Sequence, residues 1–127
     1  MSEQITRQFI EALERLEAEG DLETISGLFA EDAEISNVVS PKTFRGTEGA
    51  REFWDNYRKT LGEVRSIFRN QITADNTSAL EWRTRGSDNN PVDYEGVSIL
   101  ETNGEKITRF FAYFDPAKLG SEIAEGE

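Results

Sequence analysis

An α+β domain, with three N-terminal helices covering one face of a curved sheet, is predicted by three features of the chain. Apolar residues recur at helical spacing through the first half, the period changes to two near residue 64, and no repeat or low-complexity linker separates the halves. The 127 residues, 36% of them hydrophobic, suit one compact core. We expect a single domain over 1–120 and an acidic tail over 121–127, "SEIAEGE".

Each element has its own signal. Ile5, Phe9, Leu13 and Leu16 mark a helix through about residue 18, and "EGDLET" supplies Gly20 to end it and Asp21 to cap the next. Leu22, Ile25, Leu28 and Phe29 give that second helix an apolar side until "AEDA" breaks the pattern. "EISNVV", residues 34–39, alternates as a short strand with Ile35, Asn37 and Val39 on one face. A third helix is expected from Gly46, capped by Thr47 and carrying Phe53, Trp54, Tyr57 and Leu61. Strands near 64–73, 78–86, 92–102 and 106–115, turning at "ADNT", "SDNNP" and "TNGE", form an antiparallel meander.

Composition narrows the chemistry. With no cysteine and no histidine, hydrolytic triads built on either residue are excluded, as is a Cys-ligated zinc site. A formal charge of −11, from 25 acidic and 14 basic residues, opposes binding to a phosphate backbone. It favours solubility, with adaptation to a salty cytoplasm as the other reading. No apolar run approaches a membrane span and "MSEQITRQF" lacks the order of a signal peptide, so a cytoplasmic protein is expected. "SDNNPVDYE" lacks the ligand spacing and glycine of an EF-hand and reads as a polar hairpin turn; neither metal nor cofactor is expected.

The segments "FAEDAEI", "FRGTEGAREFW" and "YEGVSILETNGEKITRFFAYFD" resemble the SnoaL-like branch of the nuclear transport factor 2-like, or ketosteroid isomerase-like, superfamily over residues 5–119. The resemblance implies a cone, an α+β barrel whose mainly antiparallel sheet curls around the helices and leaves an apolar cavity. The superfamily holds isomerases, cyclases, hydrolases, dehydratases and noncatalytic modules, so fold leaves function open. Carried onto this chain, the catalytic base of ketosteroid isomerase falls on Asn37, its tyrosine near Phe9 or Leu13, and its acidic partner near Val97 or Ser98. Limonene epoxide hydrolase is similar in having asparagine at Asn37, but its Asp-Arg-Asp set falls on Thr84, Trp82 and Ala112. Neither mechanism is expected here.

Both comparisons imply which sheet face meets the cavity. Leu80, Trp82 and Thr84 then point inward with Tyr94, Gly96, Ser98 and Leu100, and with Phe110, Ala112 and Phe114. A one-residue slip would instead turn Arg83, Asp93 and Glu95 inward and restore acid-base chemistry. The expected ligand-binding residues are Asn37, Trp82, Thr84, Tyr94, Ser98 and Phe110, closed over by Phe9, Trp54 and Tyr57. Each has a plainer alternative: Asn37 satisfying nearby backbone, the helical aromatics and Tyr94 filling the core. The function expected is binding of a small neutral, mostly apolar molecule. The alternatives are an isomerase, lyase or polyketide cyclase-type enzyme using other acid/base residues, and a noncatalytic dimerisation module. Val97, Ile99, Phe111 and Tyr113 make the opposite sheet face apolar, so a homodimer through that face is expected, with Glu81, Arg83, Arg85, Glu95 and Arg109 at its margin, unless a C-terminal segment covers it.

Overall fold

The computed structural model describes residues 2–40 and 42–118; the acidic tail expected over 121–127 lies outside them. Helix α1 (Ser2–Glu19) buries Ile5, Phe9, Leu13 and Leu16, one side of its helical repeat. It stops where expected, with the Gly20 N–H bonded to Leu16 O at 2.9 Å. Asp21 then caps α2 (Leu22–Ser26), its Oδ1 accepting the amides of Glu23 and Thr24 at 3.2 and 3.3 Å.

Phe29, assigned to the second helix, opens strand β1 (Phe29–Asn37), and "AEDA" lies inside that strand. The pairing of β1 with the last strand slips between Phe29 and Glu34, so extra residues bulge out and period-two alternation is lost. Val38 and Val39 form a turn and are exposed, so the strand ends at Asn37 rather than at Val39. A two-residue strand, β2 (Phe44–Arg45), has no sequence signal of its own and pairs antiparallel with β1.

Helix α3 (Gly46–Leu61) also begins differently from expectation. Arg45 occupies its N-cap position without a side-chain cap, and the Thr47 hydroxyl instead donates to Phe29 O at 3.2 Å. Gly46 has φ of 72°, and a Cβ there would stand 2.7 Å from Glu31 O, so the entry into α3 requires glycine. Strands β3 (Val64–Ala74), β4 (Thr77–Gly86), β5 (Asp93–Thr102) and β6 (Ile107–Phe114) form the meander. The "SDNNP" segment is a turn between β4 and β5, with Asn90 Nδ2 donating to Leu61 O and Glu63 O at the end of α3.

The sheet order is β2-β1-β6-β5-β4-β3, antiparallel except where β1 runs parallel to β6. The helices pack on its inner face, giving the α+β cone. Leu80, Trp82, Thr84, Tyr94, Ser98, Leu100, Phe110 and Ala112 are all buried on that side, while Glu95 is exposed and paired with Arg69 at 2.6 Å. Among the described residues, no helix is long and apolar enough to cross a membrane.

One position controls how the sheet meets its largest side chain. Gly96 is the cross-strand neighbour of Trp82, and a Cβ at Gly96 would lie 2.9 Å from two carbons of the indole and closer still to Tyr113 O. The indole lies across the bare glycine and donates from Nε1 to Ser98 Oγ at 2.8 Å. Gly96→Ala should therefore lower stability by about 1–3 kcal/mol, the usual range for overpacking, and shift tryptophan fluorescence. Denaturant unfolding followed by emission checks this; an unchanged midpoint and spectrum would mean that the indole is not held this way.

Candidate functional site

A cavity of about 440 Å³ opens between the helices and the inner sheet face. Strand register arranges its floor in rows. Ser66, Thr84 and Tyr94 stand side by side on β3, β4 and β5. The next row is Phe68, Trp82, Gly96 and Phe114, which is almost wholly aromatic. Beyond it, Leu80, Ser98, Ala112 and Asn37 run from β4 across to β1. The two polar rows are four residues apart along the strands, or about 13 Å.

The roof is aromatic because α1 and α3 present their apolar stripes to the same space. Phe9 and Leu13 come from α1, and Phe53, Trp54, Tyr57 and Leu61 from α3. Trp54 is the hub: its ring centroid lies 4.9 Å from Phe53, 5.1 Å from Phe110, 5.3 Å from Tyr57 and 5.9 Å from Phe9. These edge-on and tilted contacts hold the wall rigid. Every residue singled out from the sequence borders this one cavity: Asn37, Trp82, Thr84, Tyr94, Ser98 and Phe110 from the sheet, with Phe9, Trp54 and Tyr57 above.

Asn37 combines both roles considered for it. Its Oδ1 accepts the amides of Val39 and Ser40 at 3.0 and 2.8 Å, closing the turn after β1. Its Nδ2 has no hydrogen-bond partner among the described residues, and the side chain lines the cavity. A ligand can therefore meet only the donor half of this amide. Tyr94, by contrast, is 6% exposed with its ring edge-on to Trp82 at 5.1 Å, and its hydroxyl has no partner among the described residues.

Sequence reasoning missed Glu17 and Ser66. Glu17 is 2% exposed and sits behind the polar row. Its Oε2 accepts from the Tyr57 hydroxyl at 2.6 Å and the Ser66 hydroxyl at 2.5 Å, and its Oε1 from the Ser66 amide at 3.0 Å. Ser66 Oγ also lies 2.7 Å from Thr84 Oγ1. Burial raises the Glu17 carboxyl above its ordinary 4.5; the Ser66 and Tyr57 hydrogen bonds oppose the rise and nearby Glu14 adds to it. Burial and then the Glu17 charge push the Tyr57 and Tyr94 phenols well up from 10.0, so both keep their protons at neutral pH. The signal for Glu17 was present: it lies four residues after Leu13, on the buried stripe of α1.

Residues 6–110 match the model of the SnoaL-like domain family. Among solved structures, the fold is similar to an NTF2-like protein of unknown function from Burkholderia pseudomallei, with TM-score 0.82, 19% identity and 96% of each chain covered. A ketosteroid isomerase-like fold from Catenulispora acidiphila, in complex with trimethylamine, gives TM-score 0.77 and 16% identity over 92% of each chain. An LEH-like epoxide hydrolase from M. tuberculosis gives 0.73 and 15% identity, covering 97% of this chain and 92% of that one. No curated protein matches the chain.

The raised carboxyl has a consequence for stability. Below pH 4.5 Glu17 is protonated in both folded and unfolded chains; above it the unfolded chain releases the proton first, so the stability it contributes is lost as pH rises through the folded value. Glu17→Gln removes this titration. The melting temperature of wild type relative to Glu17→Gln should thus fall as pH rises above the ordinary carboxyl value of 4.5. Paired thermal unfolding across that rise checks the sign, and a gap that is constant or grows in favour of wild type would contradict it.

Proposed function

The chain belongs to the SnoaL-like domain family; on that premise we propose that it is a small-molecule pocket protein holding a neutral, mostly apolar ligand in the aromatic cavity. The cavity carries the reading: the middle row of its floor is aromatic, the two flanking rows carry neutral polar groups, and Ser40, Asn56, Tyr57 and Thr60 add further neutral polar groups to the lining. Such a site draws affinity from burial and orientation from a few hydrogen bonds. The positions matched to ketosteroid isomerase and limonene epoxide hydrolase catalytic carboxylates hold Asn37, Val97 or Ser98, Thr84 and Ala112, which supply none. In this reading neither reaction proceeds. The same proposal keeps the protein in the cytoplasm, on composition alone.

One observation favours an enzyme as the second reading. Glu17 is a buried carboxylate in contact with Tyr57, a cavity residue, and a carboxyl with a raised pKa is suited to general acid–base work. An isomerase, lyase or polyketide cyclase-type activity would then run through Tyr57 rather than Asn37.

A neutral fluorescent dye tests the pocket. Phenylnaphthylamine should bind saturably with one site per chain and quench tryptophan emission, and Ala112→Phe, which fills the floor between Ser98 and Asn37, should weaken it at least roughly tenfold. The wild-type protein should show no turnover of a ketosteroid. Binding that Ala112→Phe leaves untouched would place the dye elsewhere and reject this cavity as the site.

We further propose a homodimer through the outer sheet face. Ile72, Ala79, Ile99 and Phe111 are consecutive cross-strand neighbours there, forming an apolar band across four strands. Ile67, Ile72 and Tyr113 are 55%, 67% and 49% exposed, high for large apolar side chains. At the margin, Arg83 pairs with Asp93 at 3.0 Å and Arg109 with Glu101 at 3.2 Å. Sedimentation at micromolar protein should give a dimer mass, and Ile99→Asp should shift it to monomer while leaving dye binding intact. A monomer mass independent of concentration in wild type would overturn the assembly.

A further inference from the structure

Glu17 makes the polar end of the cavity directional. It accepts three hydrogen bonds, from the Tyr57 hydroxyl, the Ser66 hydroxyl and the Ser66 amide. A serine hydroxyl has one proton, already given to Glu17, so the 2.7 Å bond between Ser66 and Thr84 is donated by Thr84. The protons of Tyr57, Ser66 and Thr84 are thus all committed to the chain that ends on the carboxylate. Tyr57 has only oxygen lone pairs left to offer a ligand, and its bond to a carboxylate strengthens them as acceptors. Tyr94 is the opposite case, because its ring is buried against the same cavity while its hydroxyl has no hydrogen-bond partner among the described residues. Tyr94 is the cross-strand neighbour of Thr84, which bonds Ser66, and Ser66 shares Glu17 Oε2 with Tyr57, so both phenols stand at the same polar end of the cavity. At that end the Tyr94 hydroxyl keeps its donor and the Tyr57 oxygen keeps its lone pairs, while the Trp54 and Asn37 N–H groups are further unpartnered donors among the described residues of the lining.

We propose that Tyr94 and Tyr57 form a hydroxyl-recognition site, in which the Tyr94 O–H donates to, and the Tyr57 oxygen accepts from, the hydroxyl of an otherwise apolar alcohol or phenol. This deepens the pocket reading and rests on it. A hydroxyl is the smallest neutral group that both donates and accepts. A ketone accepts from Tyr94 but has no proton for Tyr57, and sets lone pair against lone pair. A carboxylate adds a second negative charge beside Glu17. An ammonium finds the Glu17 oxygens already supplied with donors, behind Tyr57 and Ser66.

Three ligands with one carbon frame, β-tetralol, β-tetralone and tetralin, test this by displacing phenylnaphthylamine from the intact protein. Wild type should bind the alcohol about threefold to tenfold more tightly than the ketone, the worth of one net hydrogen bond. Tyr57→Phe should abolish that preference by weakening the alcohol alone. Tyr94→Phe should weaken both oxygenated ligands toward tetralin and leave tetralin unchanged. If Tyr57→Phe fails to fold because Glu17 loses a donor, Tyr94→Phe decides the matter, since its hydroxyl holds no other element in place. Equal wild-type affinities for alcohol and ketone, or a Tyr94→Phe protein that binds all three as wild type does, would overturn the hydroxyl site and leave the pocket standing. No dye binding, or no displacement by any of the three, would overturn both.

Discussion

A carboxylate removed from water costs several kcal/mol unless hydrogen bonds replace its hydration, and Glu17 finds its replacements on separate elements of the fold. Tyr57 comes from α3 and Ser66 from β3, with Thr84 of β4 behind it, while Glu17 itself rides on α1. These donors meet only once both helices are seated on the sheet. The requirement fixes the height and rotation of α1 and α3 above the floor. Because Tyr57 and Thr84 are also cavity wall, it fixes the polar end of the cavity in the same step. Fold and site share one electrostatic demand.

The remainder of the cavity is held open by ring geometry. Large aromatic groups meeting edge-on cannot collapse into the space between them without clashing, and the cluster around Trp54 joins α1, α3 and β6 in this way. On the floor, the bare Gly96 lets the Trp82 indole lie across β5 and reach Ser98, so the widest side chain becomes lining rather than filling. The hydrogen bond to Ser98 satisfies an indole N–H that burial would otherwise leave unpaired.

Structures sharing this cone at 14–19% identity include proteins described as ketosteroid isomerase-like and as an epoxide hydrolase. Resemblance at that level establishes a fold and leaves function to the site. Among the described residues no carboxylate lines this cavity, and the acidic group of the network lies behind the wall, contacted through Tyr57 and Ser66.

Much of this was readable in the order of residues. Helical spacing marked α1 and α3, Asp21 marked the start of α2, and period two marked the four long strands, because in each case the signal is local. The resemblance oriented the strands, and with them Trp82, Thr84, Tyr94, Ser98 and Phe110. Strand β1 was misjudged because its bulge breaks alternation, and β2 because two residues carry no period. Asn37 could be assigned to the cavity, but not the division of its amide, since the turn that takes its oxygen depends on backbone geometry at Val39 and Ser40. Glu17 stood on the apolar stripe of α1 in plain view, yet a lone acid there is as readily a stripe edge as a buried charge. Its partners lie 40 and 49 residues away, and only packing brings them within hydrogen-bond distance. The sequence by itself determined the layers and the alternation of the long strands; tertiary structure decided which face meets the cavity, where the charge lies and which way the hydroxyl protons point, because those depend on contacts between elements that no local period records.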